Sequence, residues 1–128
     1  MTDQILAGSQ ILVVEDEYYL ADEARSTLAD AGAVVVGPVP SLEEAKVALT
    51  ANTRIDAALL DVNLRGELVF ELADALQAQG VPFAFATGYD GEVLPSRFAD
   101  RVVLGKPVRP DQLVEAFVHL IAQARHRR

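Results

Sequence analysis

Five short apolar runs constrain this chain most, because their hydrophobic residues are consecutive rather than alternating. They are Ile11-Leu12-Val13-Val14, Ala33 to Gly37, Ala57-Ala58-Leu59-Leu60, Phe83-Ala84-Phe85-Ala86 and Val102-Val103-Leu104. A strand that is apolar at successive positions must be buried on both faces, which is the condition of a parallel sheet covered by helices. The segments between the runs carry helical periodicity, so the pattern reads as successive βαβ units. The expected fold is α/β, a doubly wound five-stranded parallel sheet alternating with about five helices. The 128 residues make one domain, with a core from about residue 10 to 124.

The helical segments carry their own start and stop signals. The first helix should begin near Glu17, bury Leu20, Ala24, Leu28 and Ala31, and stop at Gly32. Ser41-Leu42-Glu43-Glu44 is a capping box, and Leu42, Ala45 and Leu49 mark the buried face behind it. A third helix should open near Gly66, bury Leu68, Leu72, Ala75 and Leu76, and end at Gly80. Between Thr87 and Arg101 the pattern weakens, with Gly88, Gly91 and Pro95 interrupting it, so any helix there should be short and loosely held. Pro110 and Asp111 suit the first turn of a last helix whose apolar stripe is Leu113, Phe117, Leu120, Ile121 and Ala124.

Four of the five runs end on a residue able to handle a phosphoryl group. The first runs into Glu15-Asp16-Glu17, the third into Asp61, the fourth into Thr87, and the fifth through Gly105 into Lys106-Pro107. Open parallel sheets bind ligands outside the carboxyl ends of their strands, so neighbouring strands would bring three acids, a hydroxyl and an amine into one cleft. Carboxylates crowded together resist joint ionisation. A hard divalent cation such as Mg²⁺, which takes oxygen ligands, relieves that cost. Acids at a helix N-terminus are also favoured with no metal present, but that reading leaves Asp61, on a different strand, unaccounted for.

Each residue has a plainer role beside the chemical one. Asp61 can be a phosphoryl-accepting carboxylate or an ordinary acid at a strand end. Asn63 can offer its backbone carbonyl to a metal or simply make a turn. Thr87 and Lys106 can divide the phosphoryl oxygens with a metal, or be a turn residue and a surface charge. An X–Pro bond can be cis, and a cis bond at Pro107 would aim Lys106 across the strand ends. The ordered set, each member after its own strand, is much more specific than any one of them.

The remaining bulk properties narrow the partners. The net charge of −8 argues against nucleic acid as a partner for the body of the domain, because phosphate neutralisation needs a basic face. The Arg125-His126-Arg127-Arg128 tail is the one basic cluster, and the last turn of a helix favours cations in any case. The absence of cysteine excludes disulfides and thiolate chemistry. With no signal-peptide pattern and no long apolar run, no membrane association is expected and a soluble, cytoplasmic protein is the default.

The acid pair, Asp61, Thr87 and Lys106-Pro107 together resemble the response-regulator receiver domain of two-component signalling, over nearly the whole chain. The resemblance implies that Asp61 accepts a phosphoryl group from a histidine kinase or a histidine phosphotransfer protein. It implies that Asp16, Asp61 and the Asn63 carbonyl bind Mg²⁺, with Glu15 helping through water. It also implies that Thr87 and Lys106 contact the phosphoryl oxygens and that the Lys106–Pro107 bond is cis. Such a protein is a signalling component rather than an enzyme. The last helix ends the sequence, so no output domain is expected, and a phosphorelay, a phosphate sink or a switch acting on a downstream protein is implied. Phe85-Ala86-Thr87-Gly88-Tyr89 is similar to the motif of the FAT GUY branch, several members of which act in general stress signalling.

The chain departs from the family in several places. Val103 stands where many receivers carry a switch aromatic, which leaves Tyr89 as either a substitute switch or a loop tyrosine. Asn63 and Tyr89 occupy positions that influence dephosphorylation in the family. Leu64-Arg65-Gly66-Glu67 fills a loop where many receivers have a proline, and Glu15 replaces the usual first Asp. His119 lies off the last apolar stripe and should be solvated. Two alternatives stand beside the receiver: a non-phosphorylated interaction module of the same fold, and a phosphatase of the haloacid-dehalogenase type. The latter needs a second Asp where Asn63 stands.

Overall fold

A computed structural model describes residues 4–51, 54–88 and 94–126. The chain runs β1 (Gln10–Val14), α1 (Tyr18–Asp30), β2 (Val34–Val39), α2 (Leu42–Ala51), β3 (Ala57–Asp61), then a small hairpin of β4 (Asn63–Leu64) and β5 (Glu67–Leu68). It continues with α3 (Phe70–Ala78), β6 (Phe83–Thr87), a 3₁₀ turn (Ser96–Phe98), β7 (Val102–Gly105) and α4 (Pro110–His126). The five long strands form one parallel sheet in the order β2-β1-β3-β6-β7. This is the doubly wound, flavodoxin-like arrangement the apolar runs require, with the order reversing beside β1.

Every residue of β3 and β6 is buried, and successive side chains go to opposite layers. Leu12, Val14, Ala58, Leu60, Phe83 and Phe85 pack toward α2 and α3. Ile11, Val13, Ala57, Leu59, Ala84 and Ala86 pack toward α1 and α4. The edge strands differ from the expectation of two buried faces: β2 has no fully buried residue, and Val102 and Val103 on β7 are exposed. An edge strand has one neighbour, so helices that cover the sheet centre leave its outer side to solvent.

Helix boundaries follow the local signals with two corrections. α1 starts at Tyr18 with Glu17 as its N-cap. In the capping box of α2, the Glu44 amide donates to Ser41 Oγ at 3.2 Å, and the Ser41 hydroxyl lies 3.3 Å from Glu44 Oε2. The first correction is α3, which begins at Phe70 rather than near Gly66, because the intervening residues form the hairpin. Leu68 is consequently exposed, Ala75 half-buried, and Ala73 buried in its place.

The second correction concerns residues 94–101 alone: the helix in this stretch is short, as expected, but it is not loosely held, and residues 89–93 lie outside the described residues. Phe98 is fully buried within 5.9 Å, centroid to centroid, of the rings of Phe70, Phe83 and Phe85. Arg97 makes two bonds of 2.9 Å to Asp74 on α3, and the Arg101 guanidinium lies 5.0 Å from the Phe83 ring centre. Residues 94–101 are therefore anchored, despite having only one helical turn. Tyr89 lies outside the described residues.

Candidate phosphoryl-transfer site

The parallel register delivers the strand ends to one rim. Val14 pairs with Leu60, Asp61 with Ala86, and Thr87 with Gly105, so each polar residue emerges at nearly the same height. The Lys106 amide donates to the Thr87 carbonyl at 2.8 Å, tying the last two members together through the backbone. The Lys106–Pro107 bond is cis. Glu15, Asp61 and Thr87 are three of the four buried polar or charged residues among those described, and all three lie at this rim.

Glu15, Asp16 and Asp61 each place a carboxylate oxygen within 4.8 Å of the others. Lys106 Nζ sits 3.0 Å from Glu15 Oε1 and 3.0 Å from Asp61 Oδ2, joining the two buried acids. Burial pushes the Glu15 carboxyl up to about 7, against the opposing pull of the Glu17 amide, which donates to its Oε2, and of Lys106. Burial depresses the Lys106 ammonium, but its bonds to Glu15 and Asp61 outweigh that, and its affinity for the proton is raised overall. The rim therefore holds more negative charge than its own buried cation neutralises.

Asn63 has a double attachment. Its amide donates to Asp61 Oδ1 at 3.2 Å, and its side-chain oxygen accepts from the Gly66 amide at 2.7 Å. The side chain thus makes the turn that the sequence admitted. Thr87 is buried at the end of β6. Val103 on β7 is 44% exposed, so no aromatic is buried at that position. His119 is exposed on α4, as is Arg125, while Arg127 and Arg128 lie outside the described residues.

The donor set fits a hard divalent cation. It offers only oxygen ligands, and the desolvated Glu15 is a charge that a cation would stabilise. A cleft of about 530 Å³ opens beside the rim, between α1 and the segment from Lys106 to Pro110. Glu15, Lys106, Leu59 and Ala86 are among its walls. Arg65 is a further neighbour of the site: its Nε lies 3.4 Å from Asp16 Oδ2.

No protein-family model matches the chain, and no curated protein matches it. Among solved structures, it is similar to SdrG from Sphingomonas melonis Fr1, at 41% identity over 88% of this chain and 96% of that one, with a TM-score of 0.79. The BeF3-activated conformation of SdrG from Pseudomonas melonis Fr1 is 37% identical over 94% of this chain and 99% of that one, with a TM-score of 0.73. A putative response regulator from Chloroflexus aurantiacus J-10-fl is 25% identical over 89% and 98% of the two chains, with a TM-score of 0.76. Among the described residues, no helix is long and apolar enough to cross a membrane.

Proposed function

Because this chain belongs to the response-regulator receiver family, we propose that Asp61 is its phosphoacceptor. The observation that carries this reading is the placement of Asp61, 4% exposed, with its Oδ2 held 3.0 Å from the Lys106 ammonium at the rim of the sheet. In the proposed reaction an Asp61 carboxylate oxygen attacks the phosphorus of a phosphohistidine on a histidine kinase or a histidine phosphotransfer protein. The P–O bond forms as the P–N bond breaks, and the imidazole nitrogen leaves with the bonding pair and takes up a proton. Lys106 moves from balancing two carboxylates to balancing the phosphoryl oxygens, and the Thr87 hydroxyl donates to another of them.

Glu15, Asp16, Asp61 and the Asn63 carbonyl are the residues we assign to Mg²⁺. Bound there, the ion supplies positive charge where the carboxylates and phosphoryl oxygens crowd together. A donor docked in the cleft beside α1 would meet Glu15 and Lys106 directly.

The wider role rests on the same premise. The chain is matched along nearly the full length of SdrG, which supports one receiver domain acting as a phosphorelay, a phosphate sink or a protein-interaction switch. The cytoplasm is the compartment this reading assigns. Phe85-Ala86-Thr87-Gly88-Tyr89 supports a place in the FAT GUY branch and in general stress signalling. Tyr89, two residues beyond Thr87, is the aromatic we assign to the switch in place of Val103.

The phosphoryl mimic BeF₃⁻ tests the site. With Mg²⁺ it should raise the thermal midpoint of the wild type, since a ligand at a hundred times its Kd adds about 2.7 kcal/mol. Asp61→Asn should show no such rise. An equal rise in both proteins would place the bound anion elsewhere and remove Asp61 from the role.

A further inference from the structure

Arg65 is the one non-glycine residue among those described with a left-handed backbone, at φ 52°. Gly66 follows at φ 93°, so both central positions of the turn joining β4 and β5 are left-handed. That is the type I′ pattern, which favours Asn, Asp and Gly for steric reasons. An arginine gains nothing sterically from such a backbone, and a residue held in one invites a functional account.

The contacts supply that account. The turn is tied to the phosphoacceptor: the Gly66 amide bonds the Asn63 side chain, and the Asn63 amide bonds Asp61. From it Arg65 reaches Asp16, Nε to Oδ2, at 3.4 Å. The two cations divide the acids between them. Lys106, largely buried, bridges Glu15 and Asp61 from within. Arg65, with 80% of its side chain exposed, covers Asp16, which is only 12% exposed, from the solvent side. A guanidinium keeps its charge at any working pH, so it can leave Asp16 only by moving, and an exposed pair is held weakly enough to allow that.

We propose that Arg65 is a tethered counter-ion that occupies Asp16 when no metal is bound and competes with a divalent cation for it, thereby setting the metal affinity of the site. This rests on the reading of the acid cluster as a Mg²⁺ pocket. The hairpin keeps the guanidinium near the rim after displacement, so the competition is intramolecular. Arg65 is a positioning residue here, acting through Asp16.

Mg²⁺ binding measured by isothermal titration calorimetry on the wild type, Arg65→Gln, Arg65→Lys and Arg65→Gly tests this. Gln removes the charge and keeps a side chain on the left-handed backbone. Lys keeps both, and Gly removes the charge while relieving the backbone. Gln and Gly should each bind Mg²⁺ about twofold to fivefold more tightly than the wild type, and Lys should stay close to it. The gap should narrow between about 0.01 and 0.15 M ionic strength, because the competing charge is exposed. Equal affinity in all four proteins, or weaker binding by Gln, would overturn the assignment of Arg65 while leaving the metal pocket intact. So would tighter binding by Gly alone, which would place the effect in the backbone. Failure of all four to bind Mg²⁺ would overturn both this inference and the pocket reading beneath it.

Discussion

On β6 two phenylalanines, Phe83 and Phe85, face the α2/α3 layer, and two alanines, Ala84 and Ala86, face the α1/α4 layer. The aromatic side gathers Phe70 and Phe98 into a four-ring cluster with centroid spacings of 5.4 to 5.9 Å. On the alanine side, Ala24, Leu59 and Ala86 leave an open cleft against Lys106 and Glu15. One strand thus supports a tightly filled layer and a layer with room beside the chemistry. The aromatic layer packs one face of the sheet closely, and the alanine layer leaves a cleft open beside the strand ends.

The largest effect should come from breaking the aromatic side. Phe98→Ala should cost about 3–5 kcal/mol in urea unfolding, since the ring is fully buried among three others. Mg²⁺ affinity measured on the fraction still folded should change little. A loss below about 1 kcal/mol would show that the 3₁₀ turn is not anchored through this ring.

The rim should respond to pH instead. The Glu15 carboxyl is raised from 4.5 to about 7 by burial, so its contribution is fully present below about 4.5 and is lost as pH rises through about 7. Metal-free protein should lose stability progressively across that window. Glu15→Gln should flatten the slope, and saturating Mg²⁺ should oppose it. An unchanged slope in Glu15→Gln would assign the titration to other groups.

The smallest effect should be at the outer edge of β7. Val103→Tyr adds an aromatic at a position already 44% exposed and should move stability by no more than about 0.5 kcal/mol. Phosphorylation should also be unchanged. A large gain in stability would mean that the tyrosine finds a buried place, and would reopen β7 as a switch.

The parallel sheet was readable because uninterrupted apolar runs such as Ala57 to Leu60 fit few other environments. The rim was readable because an acid, a hydroxyl or an amine stood at the end of four of the five runs. The hairpin was not. Leu68, Leu72 and Leu76 fall at helical spacing, and the turn residues Arg65-Gly66 lack the Asn-Gly or Asp-Gly signature that marks a type I′ turn. Phe98 was passed over for a related reason: local breakers such as Gly91 and Pro95 weaken a helix, yet one ring reaching the core can pin the chain beside them. Arg65 could not be placed from the sequence at all, because its partner Asp16 lies 49 positions away and the contact depends on turn handedness.

The measurement that tests the central claim most directly is the intact mass of the protein after incubation with Mg²⁺ and a small acyl-phosphate donor, for wild type and Asp61→Asn. One added phosphoryl group on the wild type and none on the variant is the result this account predicts. An equal adduct on both proteins, or none on a wild type shown to bind Mg²⁺ even after rapid quenching with a phosphorylated kinase, would contradict it.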